Sequence, residues 1–311
     1  MPDHQPLRTA LALLALAAAW PVAAQQDASD IVVEGERYPP EQAKQISTDI
    51  LGDFGVAQAN APAARWTEPI CLKIVGLSDR QAAIVDARIR EVAVQVRAPL
   101  AKGKCSGNAI VSFTGNGADV TSQINRRAPN RMREVPEALR NRYLTDAMPI
   151  RWWYSTGTGA ADGMAPSSVG APGVFFENSD ATANALNVSG DEGAIVTHNS
   201  SLVSTQTARS IHSATVIIDA SQTRGAAIET LADFAALVLL AEVKPGARSS
   251  SISVLAAFGG YDPPKGLTDW DMAFLKALYR IPLDRTAGRH RNQLVVEMSK
   301  AMSSGKGAKQ P

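Results

Sequence analysis

The chain has two cysteines and four histidines in 311 residues, and its charges balance to +1 with a pI near 7.8. Each scarcity closes off a class of function. There is no Cys-x-x-Cys and no close pair of histidines, so a zinc site has to be assembled from distant positions. The balanced charge leaves no overall electrostatic footprint for nucleic acid or an anionic lipid surface. No Gly-x-Ser-x-Gly elbow occurs, and Gly157, Gly159 and Gly163 fit neither a P-loop nor a dinucleotide fingerprint. No internal repeat is visible, and after the first 24 residues no apolar run is long enough to span a bilayer.

What is present begins with an address. Residues 1–24 read as a secretory signal peptide: Arg8 and the free amine form the positive region, Leu11 to Ala19 the apolar run, and Val22-Ala23-Ala24 the small residues before a cut. An uncleaved anchor is the alternative, against which Trp20 and Pro21 end the run early. No cysteine follows the cut, which argues against a lipoprotein anchor. The expected location is periplasmic or secreted, with no transmembrane segment after signal removal.

Export frames the cysteines. Cys71 and Cys105 each precede an apolar run, Leu72 to Val75 and Ala109 to Phe113, with a helical segment between them. That is a βαβ pattern with both cysteines near the same end of neighbouring parallel strands, so a disulfide is expected. Such a bridge stabilises by roughly 3–4 kcal/mol on the chain-entropy estimate. A redox or metal role is the competing reading, and neither a Cys-x-x-Cys nor a histidine cluster supports it.

The mature chain divides into a flexible N-terminal arm at 25–65, a globular domain at 66–302 and a disordered tail at 303–311. The arm is rich in Ala, Gln, Asp and Pro, broken at Pro39-Pro40 and Pro62, and reads as mobile or loosely docked. In the domain, Ser78 and Gln81 start a helix with a stripe of Ile84, Ile89, Val92 and Val96, closed by Pro99. Helices are expected at Asp119 to Arg127, Pro136 to Tyr143 and Gln293 to Met302. Strands are expected at Ile150 to Ser155, whose adjacent tryptophans must face opposite ways, and at Ala214 to Asp219. Short strands are also expected at Ile195-Val196 and Leu202-Val203, beyond a long loop from Thr156 to Asp191. Arg126, Arg127, Arg131, Arg133, Arg140 and Arg142 make a basic run interrupted by Glu134 and Glu137. It reads as a solvated helix face without interleaved aromatics, with a groove for a peptide or acidic partner as the alternative.

The helix the domain is organised around is Ile228 to Val243, apolar except at Glu229, Thr230, Asp233 and Glu242, which puts it inside a core. Its companion, Leu267 to Arg280, opens with Thr268 as N-cap and Asp271 three residues on, with Leu267 and Met272 as a hydrophobic staple. A buried helix, a loop holding Ser251-Ile252-Ser253-Val254-Leu255, then Leu267-Thr268-x-x-Asp271 and a closing Leu278-Tyr279 resembles the C-terminal half of zincin-type metallopeptidases. That resemblance lays His-Glu-x-x-His on Ala232-Asp233-Phe234-Ala235-Ala236, with a third ligand position at Glu242. Methyl groups at 232 and 236 do not bind zinc, so the resemblance implies a zincin-like scaffold without its metal. The stretch from Trp66 to Tyr279 is also similar to a group of uncharacterised secreted alphaproteobacterial proteins. The shared features are Trp66-x-x-Pro69-x-Cys71, the Ala232 to Ala236 helix and the Leu267 to Asp271 ending.

The expected fold is therefore α+β and zincin-like, with an N-terminal βαβ, a mixed sheet and a buried C-terminal helix. No cofactor or metal is expected. The leading reading of function is a non-catalytic domain that binds an unknown protein or peptide partner or interacts with the envelope. A second reading is a hydrolase using Asp233 with His212 or Glu242. A third is a structural accessory of an outer-membrane complex, prompted by Asp30 to Arg37, which resembles the N-terminal segment of TonB-dependent receptors. His198, His212 and His290 each read as an ordinary surface or hydrogen-bonded histidine, with His212 able to reach a cleft. Asp233 is either a relic general base or a structural carboxylate holding an arginine or a backbone N–H. Thr268, Asp271 and Tyr279 are structural expectations.

Overall fold

The computed structural model describes residues 38–160, 205, 207–223, 225–245, 247, 251–259 and 262–304. Chain contacts separate Met1–Val33 from Glu34–Pro311, and everything described lies in the second unit. The signal peptide, Asp30 to Arg37, the Ile195-Val196 and Leu202-Val203 strands, His198 and the tail beyond 304 lie outside the described residues.

The fold is mixed α+β. Among the described residues a four-stranded sheet runs in the order β1 (Leu72–Val75), β2 (Ala109–Thr114), β4 (Thr207–Asp219) and β3 (Ile150–Ala160). β1 pairs parallel to β2 and β2 parallel to β4, while β3 is antiparallel to β4. The helices among the described residues are seven: α1 (Pro40–Phe54), α2 (Asp79–Val96), α3 (Gly117–Arg127), α4 (Glu137–Thr145), α5 (Ile228–Leu240), α6 (Asp269–Arg280) and α7 (Ala287–Ser303). None of them is long and apolar enough to cross a membrane.

The β1-α2-β2 unit is the expected βαβ, and Cys71 is bonded to Cys105 across its open end, with Cα atoms 5.9 Å apart. Gly76 leaves β1 with φ +85°, so close under the Phe113 carbonyl that a Cβ has no room there. The two-residue period of the sheet sends Trp152 and Trp153 to different cores. Trp152 packs with Val111, Val216 and α5 in the main core, whereas Trp153 joins Met132, Val135, Tyr143 and Ile217 beneath α3 and α4.

Several expectations are corrected. The N-terminal arm is not loose over 40–54: α1 buries Ala43, Ser47, Ile50, Leu51 and Phe54, and Phe54 meets Phe274 edge-on at 5.2 Å. Pro40 reads as a breaker but occupies the first turn, where its missing N–H is no loss. The globular part therefore begins before Trp66, and Arg65 bridges to Ser210. On α2 the capping box of Ser78 and Gln81 forms as expected, but Val85 is buried where Ile84 is 37% exposed. β3 runs on to Ala160 and β4 begins at Thr207, because the two strands pair with each other beyond the apolar segments that announced them. The final helix starts at Ala287, six residues earlier than its apolar stripe indicated.

Candidate functional site

Helix α5 is buried at every position from Thr230 to Leu240. A helix end inside a core leaves carbonyl groups that need donors. Here aromatic side chains supply them. Trp66 Nε1 donates to Leu239 O at 2.6 Å, and the Tyr279 hydroxyl donates to Leu240 O at 2.8 Å. The Tyr154 hydroxyl lies 2.7 Å from Val238 O and 3.0 Å from Ala241 O, and accepts from the Val243 N–H. Trp152 Nε1 donates to Val243 O at 2.9 Å. Burial pushes the phenols of Tyr154 and Tyr279 up, so both stay protonated and remain donors.

Asp233 sits in the middle of α5, and its carboxylate joins three elements. Arg88 of α2 donates to it through Nε at 2.5 Å and through a terminal nitrogen at 3.4 Å, and the Leu267 N–H, just before α6, donates at 2.9 Å. Gly266 makes the approach possible, since a Cβ there would stand 2.5 Å from the carboxylate. Ala232 and Ala236 are fully buried in the main core.

Glu242 lies beyond the end of α5 with a different partner. It forms a two-pronged ion pair with Arg209 of β4, which also donates to the Thr156 hydroxyl at 2.9 Å. Thr156 in turn gives its N–H and hydroxyl to Glu134, at 2.8 and 2.7 Å. His212 falls at the irregularity of β4, where Ser155 pairs with Ser213 and Thr156 with Ile211, leaving His212 without a cross-strand partner. It is exposed, and its ring lies against Gly157, where a Cβ would push the imidazole aside. Asp233, Glu242 and His212 thus sit in three separate settings with no hydrogen bond between any two of them.

The remaining sequence candidates are structural. Thr268 caps α6 as expected, and the fully buried Asp271 accepts from the Ser253 hydroxyl, the Val254 N–H and the Thr268 N–H at 2.6, 2.8 and 3.0 Å. Burial raises its pKa, while these donors pull the other way. His290 is fully buried: its Nδ1 accepts the Ala63 N–H at 3.1 Å, so Nε2 carries the proton to Pro282 O at 2.8 Å. Burial lowers its pKa.

Sequence reasoning missed two arginines. Arg88 gave no signal as the partner of Asp233. Arg151, within the apolar strand Ile150 to Ser155, is fully buried and donates to the carbonyls of Tyr143, Met148 and Asp146. It also stands 4.0 Å from Asp219, whose carboxylate accepts from the Gly117 N–H and from Ser221. A lone arginine in an apolar strand was the available clue.

Among the described residues no three His, Cys, Asp or Glu side chains gather closely enough to hold a metal ion. Among the described residues, open depressions include one of about 460 Å³ beside Arg209 and the start of α7 and one of about 600 Å³ between α1, Lys244 and Arg291. Compared with known proteins, the chain matches no family model, no curated sequence and no solved structure.

Proposed function

We propose that this chain is an exported, non-catalytic domain on a zincin-like scaffold that acts in the cell envelope by binding. The observation that carries the reading is the state of Asp233, the residue at the general-base position of the resembled motif. Its two oxygens are taken by Arg88 and the Leu267 N–H, an arrangement that fastens helices together and leaves no oxygen turned to a substrate. The companion positions agree: Ala232 and Ala236 carry methyl groups inside the core, and Glu242 is held by Arg209. Export rests on the N-terminal pattern, and the Cys71–Cys105 bridge is compatible with an oxidising compartment.

The test is metal content by mass spectrometry on protein purified from the producing cell without chelator or affinity tag. The expected result is less than about a tenth of an equivalent of zinc, because a zinc site needs three protein ligands. Zinc near one equivalent overturns the reading.

A further inference from the structure

The balanced net charge conceals an uneven distribution. Many arginines elsewhere are paired, Arg88 with Asp233 and Glu91, Arg90 with Asp86, Arg142 with Asp146, Arg209 with Glu242 and Arg280 with Glu297, and the exposed Arg80, Arg97 and Arg289 stand singly along the chain. Arg126, Arg127, Arg131 and Arg133 are exposed, and none of them has an ion-pair partner among the described residues. Arg126 donates only to the Ser122 hydroxyl. Of the acids close in sequence, Asp119 is engaged by Gln123 and Glu134 by Thr156, which leaves Glu137 as one exposed carboxylate against four arginines.

Helix polarity accounts for part of this cluster. Arg126 and Arg127 lie in the last turn of α3, where cations complement the helix dipole. Arg131 and Arg133 lie beyond that turn, in and after the short 3-10 helix Pro129–Met132, and the dipole does not require them. They are held outward by what lies between and beside them. Met132 and Val135 insert into the second core against Trp153 and Tyr143, so the side chains on either side of Met132 face solvent from a fixed backbone. Because that packing already orders the backbone, binding has only the arginine side chains left to order.

The chemistry of the cluster selects the partner. The two described depressions are lined by other residues, so the cluster is not part of either groove. No aromatic side chain interleaves with the arginines to stack a base. A guanidinium matches a phosphate in two-pronged geometry, and four exposed within eight residues suit an array of phosphates. From this we infer that the Arg126–Arg133 cluster docks the domain on an anionic phospholipid surface through headgroup phosphates. The inference rests on the binding reading above and names its partner, but it is tested separately.

The experiment is vesicle co-sedimentation of the full protein, at about 50 mM and about 500 mM salt, where screening lengths differ severalfold. The vesicles are pure phosphatidylcholine, or phosphatidylcholine with one third phosphatidylglycerol. The expected result is binding to the anionic vesicles alone, abolished by salt. Replacing Arg126, Arg127, Arg131 and Arg133 together by Gln lowers partitioning by about a hundredfold or more, since each basic residue near such a surface contributes several-fold. A charge-matched control replaces the exposed Arg80, Lys102, Lys104 and Arg289 by Gln and keeps most of the binding. Circular dichroism melts confirm that both variants are folded, and single Arg131→Gln and Arg133→Gln variants replace any set that is not. Absence of vesicle binding, equal loss in the control set, or binding to polyglutamate or duplex RNA in place of vesicles overturns the inference. Zinc in the protein would sink the proposed function without touching these results, so the two failures are distinguishable.

Discussion

The carboxylate of Asp233 accepts the backbone N–H of Leu267 at 2.9 Å, which ties the start of α6 to the middle of the buried helix α5. The same carboxylate holds Arg88, so one side chain joins α2, α5 and α6. Asp233→Ala leaves a part-buried N–H and a half-buried guanidinium without their acceptor. Urea unfolding is expected to show a loss of about 2–4 kcal/mol, and Asp233→Asn, which keeps one acceptor, a smaller loss of about 1–2 kcal/mol. A catalytic Asp233 would behave differently: the Asn variant would keep its stability and lose a turnover.

Buried hydroxyls that close the end of α5 predict a graded pair. Tyr279→Phe removes the donor to Leu240 O and keeps the ring beneath Arg65, 5.6 Å from its centroid. The expected destabilisation is about 1–2 kcal/mol. Tyr154→Phe is expected to be worse, by about 1 kcal/mol more, because its hydroxyl also accepts from Val243. Equal effects in denaturant titrations would show that the carbonyls find other donors.

His290 predicts a pH dependence. Its folded pKa is held below the ordinary 6.5 by burial, with Arg65 and Arg285 adding to the shift and Pro282 O and Asp284 opposing it. As pH falls the unfolded chain takes this proton first, so the stability His290 confers is complete above about pH 6.5 and is lost as pH falls towards the folded value. The urea midpoint of the natural protein should therefore decline from about pH 7 to pH 5, and His290→Gln should flatten that decline relative to its own midpoint at pH 8. An unchanged slope in the variant would assign the dependence to other groups.

Reduction of the Cys71–Cys105 bridge, which spans a sequence separation of 34, is expected to lower stability by about 3–4 kcal/mol. Unfolding with and without reductant measures it, and Cys71→Ser with Cys105→Ser should match the reduced protein. A loss well under about 1 kcal/mol would mean that the reduced chain keeps the β1–β2 end closed through Asn108, whose side chain already holds the Cys71 N–H and Pro69 O.

Local patterns read well wherever one element carried its own punctuation. The Ser78-Gln81 and Thr268-Asp271 boxes, the alternation at Trp152 and Trp153 and the all-apolar face of α5 depend on residues a few positions apart. α1 was missed because its buried stripe uses Ala43 and Ser47, residues that carry little hydrophobic signal, and because Pro40 resembled a breaker. The outer halves of β3 and β4 were missed because Thr156–Ala160 is glycine-rich and Thr207–Ile211 mixes polar with apolar residues, and only pairing with each other makes them strands.

Chemistry shows the same division. Local order and the disulfide followed from residue type, spacing and an apolar core, since backbone geometry and hydrophobic burial act over a few residues. The role of Asp233 did not, because Arg88 stands 145 positions away and reaches it only when α2 and α5 pack. Glu242 and His212 were drawn towards Asp233 by the sequence reading, and the packed chain sends Glu242 to Arg209 and places His212 beside Gly157. Residue pattern alone announced the buried helix α5 and the capped starts of α2 and α6, while α1 and the first turns of α7 escaped it. Which charges meet was settled by the packed chain, because ion pairs and carbonyl caps form between groups that folding brings together from far apart.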